Sequence, residues 1–314
     1  MLAEIFNTGF IVSLFAGTIR MSTPILFAAL GDIFTQRSGI LNLGLEGIML
    51  MGALAAFVGT YFSGNLWIGI LLAMLVGMLF SLFMGYLSIT LRVNQVIAGI
   101  AITILGGGLS AFLDRAIFGI QSLPPSIVPF PTLNIPLLSN IPILGPILFS
   151  HNILVYISIV LVIVMQILLN RTTFGLKVKA VGEHPKAADS KGINVLGVRY
   201  VCMAIAGVCA GLGGAFLSIA NMNTFIDQMV AGRGFIAVAV VIFASFVPVK
   251  ALLGSLIFGG ASALQMRLQA VGVPIAHQFL LALPYVLTII VLISVSRKAE
   301  FPSAYTIPFV REER

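Results

Sequence analysis

The sequence predicts an all-α protein, a polytopic bundle of about nine transmembrane helices with room for eight to ten. Hydrophobic residues make up 59% of the chain and charged residues only 9%, against roughly 25% charged in a soluble domain. Apolar stretches of about 20 residues, the length a helix needs to cross the hydrocarbon core, follow one another along nearly all of it. Glycine, at 32 residues, lies inside those stretches, where small side chains let helix backbones approach closely in lipid. Residues 1–314 therefore read as a single transmembrane domain.

In order, the hydropathy predicts spans near 9–30, 40–62, 66–90, 95–118, 150–169, 199–220, 233–248, 251–271 and 275–296. The start, MLAEIF, has no basic leader and no clear cleavage site, so no cleavable signal peptide is expected. Between the fourth and fifth spans, 119–150 holds Pro124, Pro125, Pro129, Pro131, Pro136, Pro142 and Pro146, and no Lys, Arg, Asp or Glu. Between the fifth and sixth, 170–199 carries Arg171, Lys177, Lys179, Lys186, Lys191 and Arg199.

Basic loops stay in the cytoplasm, so 170–199 is placed inside and the alternation of nine spans fixes the rest. Arg37, Arg92, Lys250, Arg297, Lys298, Arg311 and Arg314 then also fall inside, while Arg20, Arg115, Arg233 and Arg267 lie within or near outer span ends. This predicts an outer amino terminus, a cytoplasmic carboxyl terminus and an extracytoplasmic proline-rich loop. The net charge of +7 is explained by topology, and no nucleic acid partner is expected.

Several function classes are excluded by what the polar residues lack. No GxxxxGK[ST] motif occurs, so the chain has no Walker site of its own. His151, His184 and His277 show no metal-ligand spacing, no nucleophile and base pair up, and no cofactor is expected in this chain. Cys202 and Cys209 share a helix face and read as packing residues. Gly207 and Gly211 form a GxxxG pair for tight helix packing.

In SGILNLGLEGIMLMG, Glu46 stands about 10 Å along a helix that begins near Gly39, with Asn42 one turn earlier on the same face. Such a carboxylate must face protein or water. Two readings stand: Glu46 lines a translocation route, or it satisfies backbone groups where the glycine-rich 38–47 leaves regular helix. Asn94 and Gln95 at the start of the fourth span, and Asn221 and Asn223 at the outer end of the sixth, join Asn42 and Glu46 as candidate path residues. Asp114 with Arg115, and Asp227 with Arg233, read as interfacial. In GEHPKAADSKGINV, Pro185 suits a first helical position and Gly192 a stop, which predicts a short exposed helix over 185–191 that serves as a docking element.

Three segments carry a resemblance. SGILNLGLEGIMLMGA, AVGEHPKAADSKGINV followed by AGLGGAFLS, and AGRGFIAVAVVIF look like the permease subunits of bacterial ABC importers in the branched-chain amino acid and ribose permease superfamily. They are most similar to its nucleoside branch, whose members work with basic-membrane-protein-type substrate-binding lipoproteins. The resemblance covers about residues 20–297. It implies a multi-pass subunit of the bacterial cytoplasmic membrane, a second homologous permease in a heterodimer, a separate ABC ATPase subunit and an extracytoplasmic substrate-binding lipoprotein. It implies alternating access, with Gly182, Glu183, His184, Pro185, Lys186, Ala187, Ala188 and Gly192 in the segment that couples to the ATPase. Nucleosides are the implied solute, with a sugar or a branched-chain amino acid as the alternative. The stretch ASFVPVKALLG departs from the pattern, which has a more polar sequence there. A rival class is an ion-coupled secondary transporter with Glu46 as its ion site, although Glu46 is the single convincing intramembrane acid and no inverted repeat is visible.

Overall fold

The computed structural model describes residues 8–119, 124–134, 139, 141–271, 277–296 and 301–310. It is a helical bundle in which α1 (Thr8–Arg37), α2 (Leu45–Ser63), α3 (Leu66–Gly85), α4 (Gln95–Phe118), α6 (Ile153–Arg171), α9 (Val195–Ala215) and α11 (Pro248–Ala270) are the long elements. α5 (Leu144–Leu148), α7 (Thr173–Glu183), α8 (Pro185–Ser190) and α10 (Arg233–Phe243) are shorter, and α12 (His277–Ser296) is the last. α3 and α9 run on through wide π-helical turns, Tyr86–Thr90 and Phe216–Met222.

Among the described residues, seven helices are long and apolar enough to cross a membrane: Thr8–Arg37, Leu45–Ser63, Leu66–Thr90, Gln95–Phe118, Ile153–Arg171, Val195–Met222 and Pro248–Ala270. Nine spans of full length are not found among the described residues, where two of the expected nine correspond to shorter apolar helices. The expected span 233–248 is an 11-residue helix, about 16 Å long and half of a bilayer core. It ends early because Ser245 (φ 49°) and Phe246 (φ 60°) turn left-handed, while the apolar run that suggested a full span continues past that break. The last expected span corresponds to α12, whose apolar part is Gln278–Ile290. The expected 150–169 starts later, because 150–152 is a strand paired antiparallel with 132–134 and Asn152 caps α6 by accepting the Val155 N–H at 3.2 Å.

Glycine sets the centre of the bundle. A methyl group at Gly52 would lie 2.7 Å from the Gly211 Cα, and one at Gly31 would lie 2.7 Å from the Cys209 Cβ. α1, α2, α3 and α9 therefore meet at backbone distance, the close approach expected of small residues in lipid. Across this contact the buried Ser81 hydroxyl donates to the Met203 carbonyl at 2.6 Å. Cys202 and Cys209 are buried and unbridged, packing residues as expected.

The chain between α1 and α2 is irregular and climbs along α4. The Leu41 N–H donates to the Gln95 side-chain oxygen at 2.8 Å. Higher up, a methyl group at Gly99 would lie 2.7 Å from the Leu43 Cβ, and one at Gly106 would lie 2.6 Å from the Gly47 Cα. From Gln95 to Gly106 the climb is about 16 Å at 1.5 Å per residue, so α2 begins near mid-depth. At the far end of the same pair, Tyr61 meets Phe118 at 5.0 Å.

Candidate functional site

Mid-depth is where Glu46 sits, 5% exposed. Its Oε1 accepts the Gly232 N–H at 2.7 Å and its Oε2 accepts the Gly234 N–H at 2.7 Å. These are orphan donors at the start of α10, so the carboxylate closes the N-terminus of a half-length helix that stops inside the bundle. Gly232 (φ +80°) makes the turn into α10. Gly234 is small because a Cβ there would lie 2.6 Å from the Glu46 Cα. Arg233 places its guanidinium Nη1 on the carbonyls of Met229 and Val230 at 3.2 and 2.9 Å, and Tyr285 donates to the Ala231 carbonyl at 3.1 Å. The carboxylate thus satisfies backbone groups, but those of 232–234 rather than of its own 38–47.

Asn42 is not one helical turn before Glu46, because α2 starts at Leu45. It lies in the irregular lead-in, fully buried, where its side-chain oxygen accepts the Gly44 N–H at 3.1 Å and its Nδ2 has no partner among the described residues. Gln95 pins Leu41, and Asn94 caps α4 by accepting the N–H groups of Val96 and Ile97 at 2.9 and 3.4 Å. Asn223 (φ 58°) turns the chain after α9 and accepts the Ile127 N–H on its carbonyl at 3.0 Å. Asn221, beside it in the wide turn, is half-buried. Asn42 and Glu46 thus flank the start of α2, while the two pairs on α4 and after α9 lie toward opposite ends of the bundle. Arg115 pairs with Asp227 at 3.4 Å on an exposed surface, whereas Arg233, expected to be interfacial, is held on the carbonyls of Met229 and Val230 at the mid-depth start of α10.

Two irregular stretches, 38–44 and 223–232, therefore run to mid-depth and are joined there through Glu46. Non-helical backbone at that depth survives only when buried in protein or lining a water-filled route.

At the basic end, α8 matches the expected helix 185–191 to within a residue. Pro185 opens it and Gly192 (φ +81°) closes it. His184, Lys186, Ala187, Ser190, Lys191 and Gly192 are exposed, whereas Ala188 turns inward onto Val181, Val195 and Phe309. The preceding helix α7 was not expected; Thr172 caps it by accepting the Gly175 N–H at 3.2 Å. Gly182 is small because a methyl group there would overlap the Arg37 carbonyl at the end of α1. Burial, with Arg37 nearby, lowers the Lys179 pKa. Arg37 also lies 5.2 Å over the Phe246 ring, so the departing stretch ASFVPVK docks on the same end.

Two buried groups escaped the sequence reading. Asp32 is a second acid, fully buried in α1, accepting from the Thr35 hydroxyl and the Gln36 amide at 2.5 Å each. Its signal was present as acceptor and donors at i, i+3 and i+4 in GDIFTQ. Arg199, read as a loop charge, is 1% exposed and donates to the carbonyls of Ser38 and Ile307 at 3.1 and 3.3 Å. Arg297, Lys298, Arg311 and Arg314 lie outside the described residues.

At the opposite end, the α2–α3 turn and the proline-rich segment line an open pocket of about 690 Å³ walled by Tyr61, Asn65, Trp67, Ser126 and Phe130 among others.

Comparison with known proteins gives this geometry a context. The family described as "branched-chain amino acid transport system / permease component" matches residues 14–295. The chain is 36% identical over 309 residues to the guanosine ABC transporter permease protein NupQ of Bacillus subtilis, covering 95% of this chain and 96% of that one. It is likewise 36% identical over 309 residues, with the same coverage, to the nucleoside ABC transporter permease protein NupC of Lactococcus lactis. It is 39% identical over 265 residues to the putative glucose ABC transporter permease protein TsgC13 of Haloferax volcanii, covering 83% of this chain and 79% of that one. The chain is therefore a transport subunit rather than an enzyme, and it belongs to the family of branched-chain amino acid transport system permease components, of the ABC transporter type.

Proposed function

We propose that the protein imports nucleosides as one half of a permease heterodimer, with a separate ABC ATPase and an extracytoplasmic substrate-binding lipoprotein. The observation that carries the solute is the full-length similarity to two relatives named for guanosine and nucleosides. The basic end is assigned to the cytoplasm and the proline-rich 119–150 to the outside, which leaves the carboxyl terminus inside. The exposed face of α8, with His184, Lys186 and Ala187, docks into the ATPase, and Gly182, Glu183, Pro185, Ala188 and Gly192 hold its shape. Asn42 and Glu46 border the route where the two irregular stretches meet; Asn94, Gln95, Asn221 and Asn223 mark its two ends.

A sugar is the second reading, favoured by the 39% identity to a putative glucose permease. The test is uptake of labelled guanosine into cells expressing the chain with its ATPase, second permease and receptor, challenged with excess unlabelled guanosine or glucose. Competition by guanosine alone supports the nucleoside reading. Glucose uptake that guanosine leaves untouched would replace it with the sugar. Docking at α8 is tested by Ala187→Arg, an exposed position: the permease should fold and the ATPase should no longer copurify. Retention of the ATPase would move the docking surface elsewhere.

A further inference from the structure

Residues 301–310 return to the basic end and lie between α8 and the end of α1. The Ala304 N–H donates to the Gly182 carbonyl at 2.9 Å, and the Thr306 N–H donates to the Gly39 carbonyl at 2.9 Å. Ser303 donates twice to the Glu183 Oε2, from its N–H at 3.2 Å and its hydroxyl at 3.1 Å. The Tyr305 hydroxyl donates to the Gln36 side-chain oxygen at 3.2 Å, and Gln36 in turn donates to the buried Asp32 at 2.5 Å. Phe309 is buried against Ala188 of α8. Phe301 lies tilted against Tyr305 at 5.1 Å and meets Phe246, in the turn between α10 and α11, at 5.9 Å. Arg199 reaches both Ser38 and Ile307.

We propose that residues 301–310 are a coupling strap, with Ser303 and Tyr305 as positioning residues that transmit movement of the exposed helix α8 to the first span and to the irregular lead-in of α2. The geometry gives the strap two separate grips. Glu183, immediately before α8, is held through Ser303, and Gln36, at the end of the first span, is held through Tyr305. Thr306 meets Gly39 where the chain begins its climb toward Glu46. The end of α1 is touched directly by α7, where Gly182 lies against the Arg37 carbonyl, and the strap adds to that contact a grip on α8 itself through Phe309 against Ala188. The Tyr305 phenol is neutral at pH 7, as an ordinary tyrosine is, and so is a hydrogen-bond donor to Gln36.

This inference rests on α8 being the ATPase contact, and its test separates the two. The full transporter is reconstituted in proteoliposomes with its ATPase, second permease and receptor, and both ATP hydrolysis and labelled guanosine uptake are measured. In the double variant Ser303→Ala, Tyr305→Phe, the ATPase should copurify as before and hydrolysis should stay within about two-fold, while uptake per ATP falls about five-fold or more, the size of a modest coupling energy. Ser303→Thr, which keeps the hydroxyl, should restore most of that ratio in the Tyr305 background. Unchanged uptake per ATP, or hydrolysis and uptake falling together, overturns the strap. If the double variant fails to assemble, Tyr305→Phe alone keeps the ring on Phe301 and gives the same readout. Ala187→Arg tests the underlying reading separately, since an ATPase that still binds and drives that variant removes α8 from coupling whatever the strap variants do.

Discussion

Glu46 shows how a single carboxylate is retained at mid-depth. Burying it costs several kcal/mol unless its oxygens are satisfied, and each receives a backbone N–H from the start of α10 at 2.7 Å. Charge-assisted bonds of this kind contribute about 1.5–3 kcal/mol apiece. In Glu46→Gln one oxygen remains an acceptor while the new amide opposes the other N–H, so a loss of about 1–3 kcal/mol is expected, with uptake partly retained. Glu46→Ala leaves both donors orphaned and should lower the melting temperature further and abolish uptake. Thermal unfolding of the two purified variants beside the parent checks this order; equal stability of Ala and parent would show that the bonds are not needed. Gly234 tests the same joint from the other side, since a Cβ there would lie 2.6 Å from the Glu46 Cα. Gly234→Ala should therefore destabilise as much as Glu46→Gln does, although the carboxylate is intact.

At the scale of elements, glycine contacts set how close the helices come. A methyl group at Gly207 would lie 2.6 Å from the Ser81 Cβ and 2.7 Å from the Met78 Cα. Gly207→Val should force α3 and α9 apart and give little folded protein in detergent, read as loss of the monodisperse peak; Gly108→Ala, with open space around it, should leave that peak unchanged. Local signals made some elements legible. Pro185 and Gly192 bracketed α8, and the spacing of Gly207 and Gly211 gave the packed face of α9. The half-length of α10 was hidden, because hydropathy counts apolar residues while the break comes from left-handed Ser245 and Phe246, neither a glycine. Asn42 and Glu46 were placed on one helix because nothing local marks Leu45 as its true start. The partners of Glu46 lie more than 180 residues away, and those of the strap more than 100, a range that one-dimensional patterns do not encode.

For the whole molecule, the arrangement of charge decides between energy sources. A proton-coupled carrier needs a carboxyl that changes partners as it loads and unloads. Here each Glu46 oxygen already receives a backbone N–H, from Gly232 and from Gly234, so adding a proton would remove the charge that strengthens both bonds at mid-depth. Asp32 is equally committed, to Thr35 and Gln36 on its own helix. At either acid, loading a proton would weaken bonds that the charged form strengthens and that hold the frame around it. The chain also has no Walker motif, so energy from ATP must arrive through the basic end. Uptake measured with a protonophore, at maintained ATP, should match the untreated rate, and ATP depletion at an intact proton gradient should abolish it. The chain purified without its ATPase should hydrolyse no ATP. Loss of uptake with the protonophore alone would mean that the Glu46 joint opens during transport, and would turn the half-length helix from a fixed wall into a moving gate.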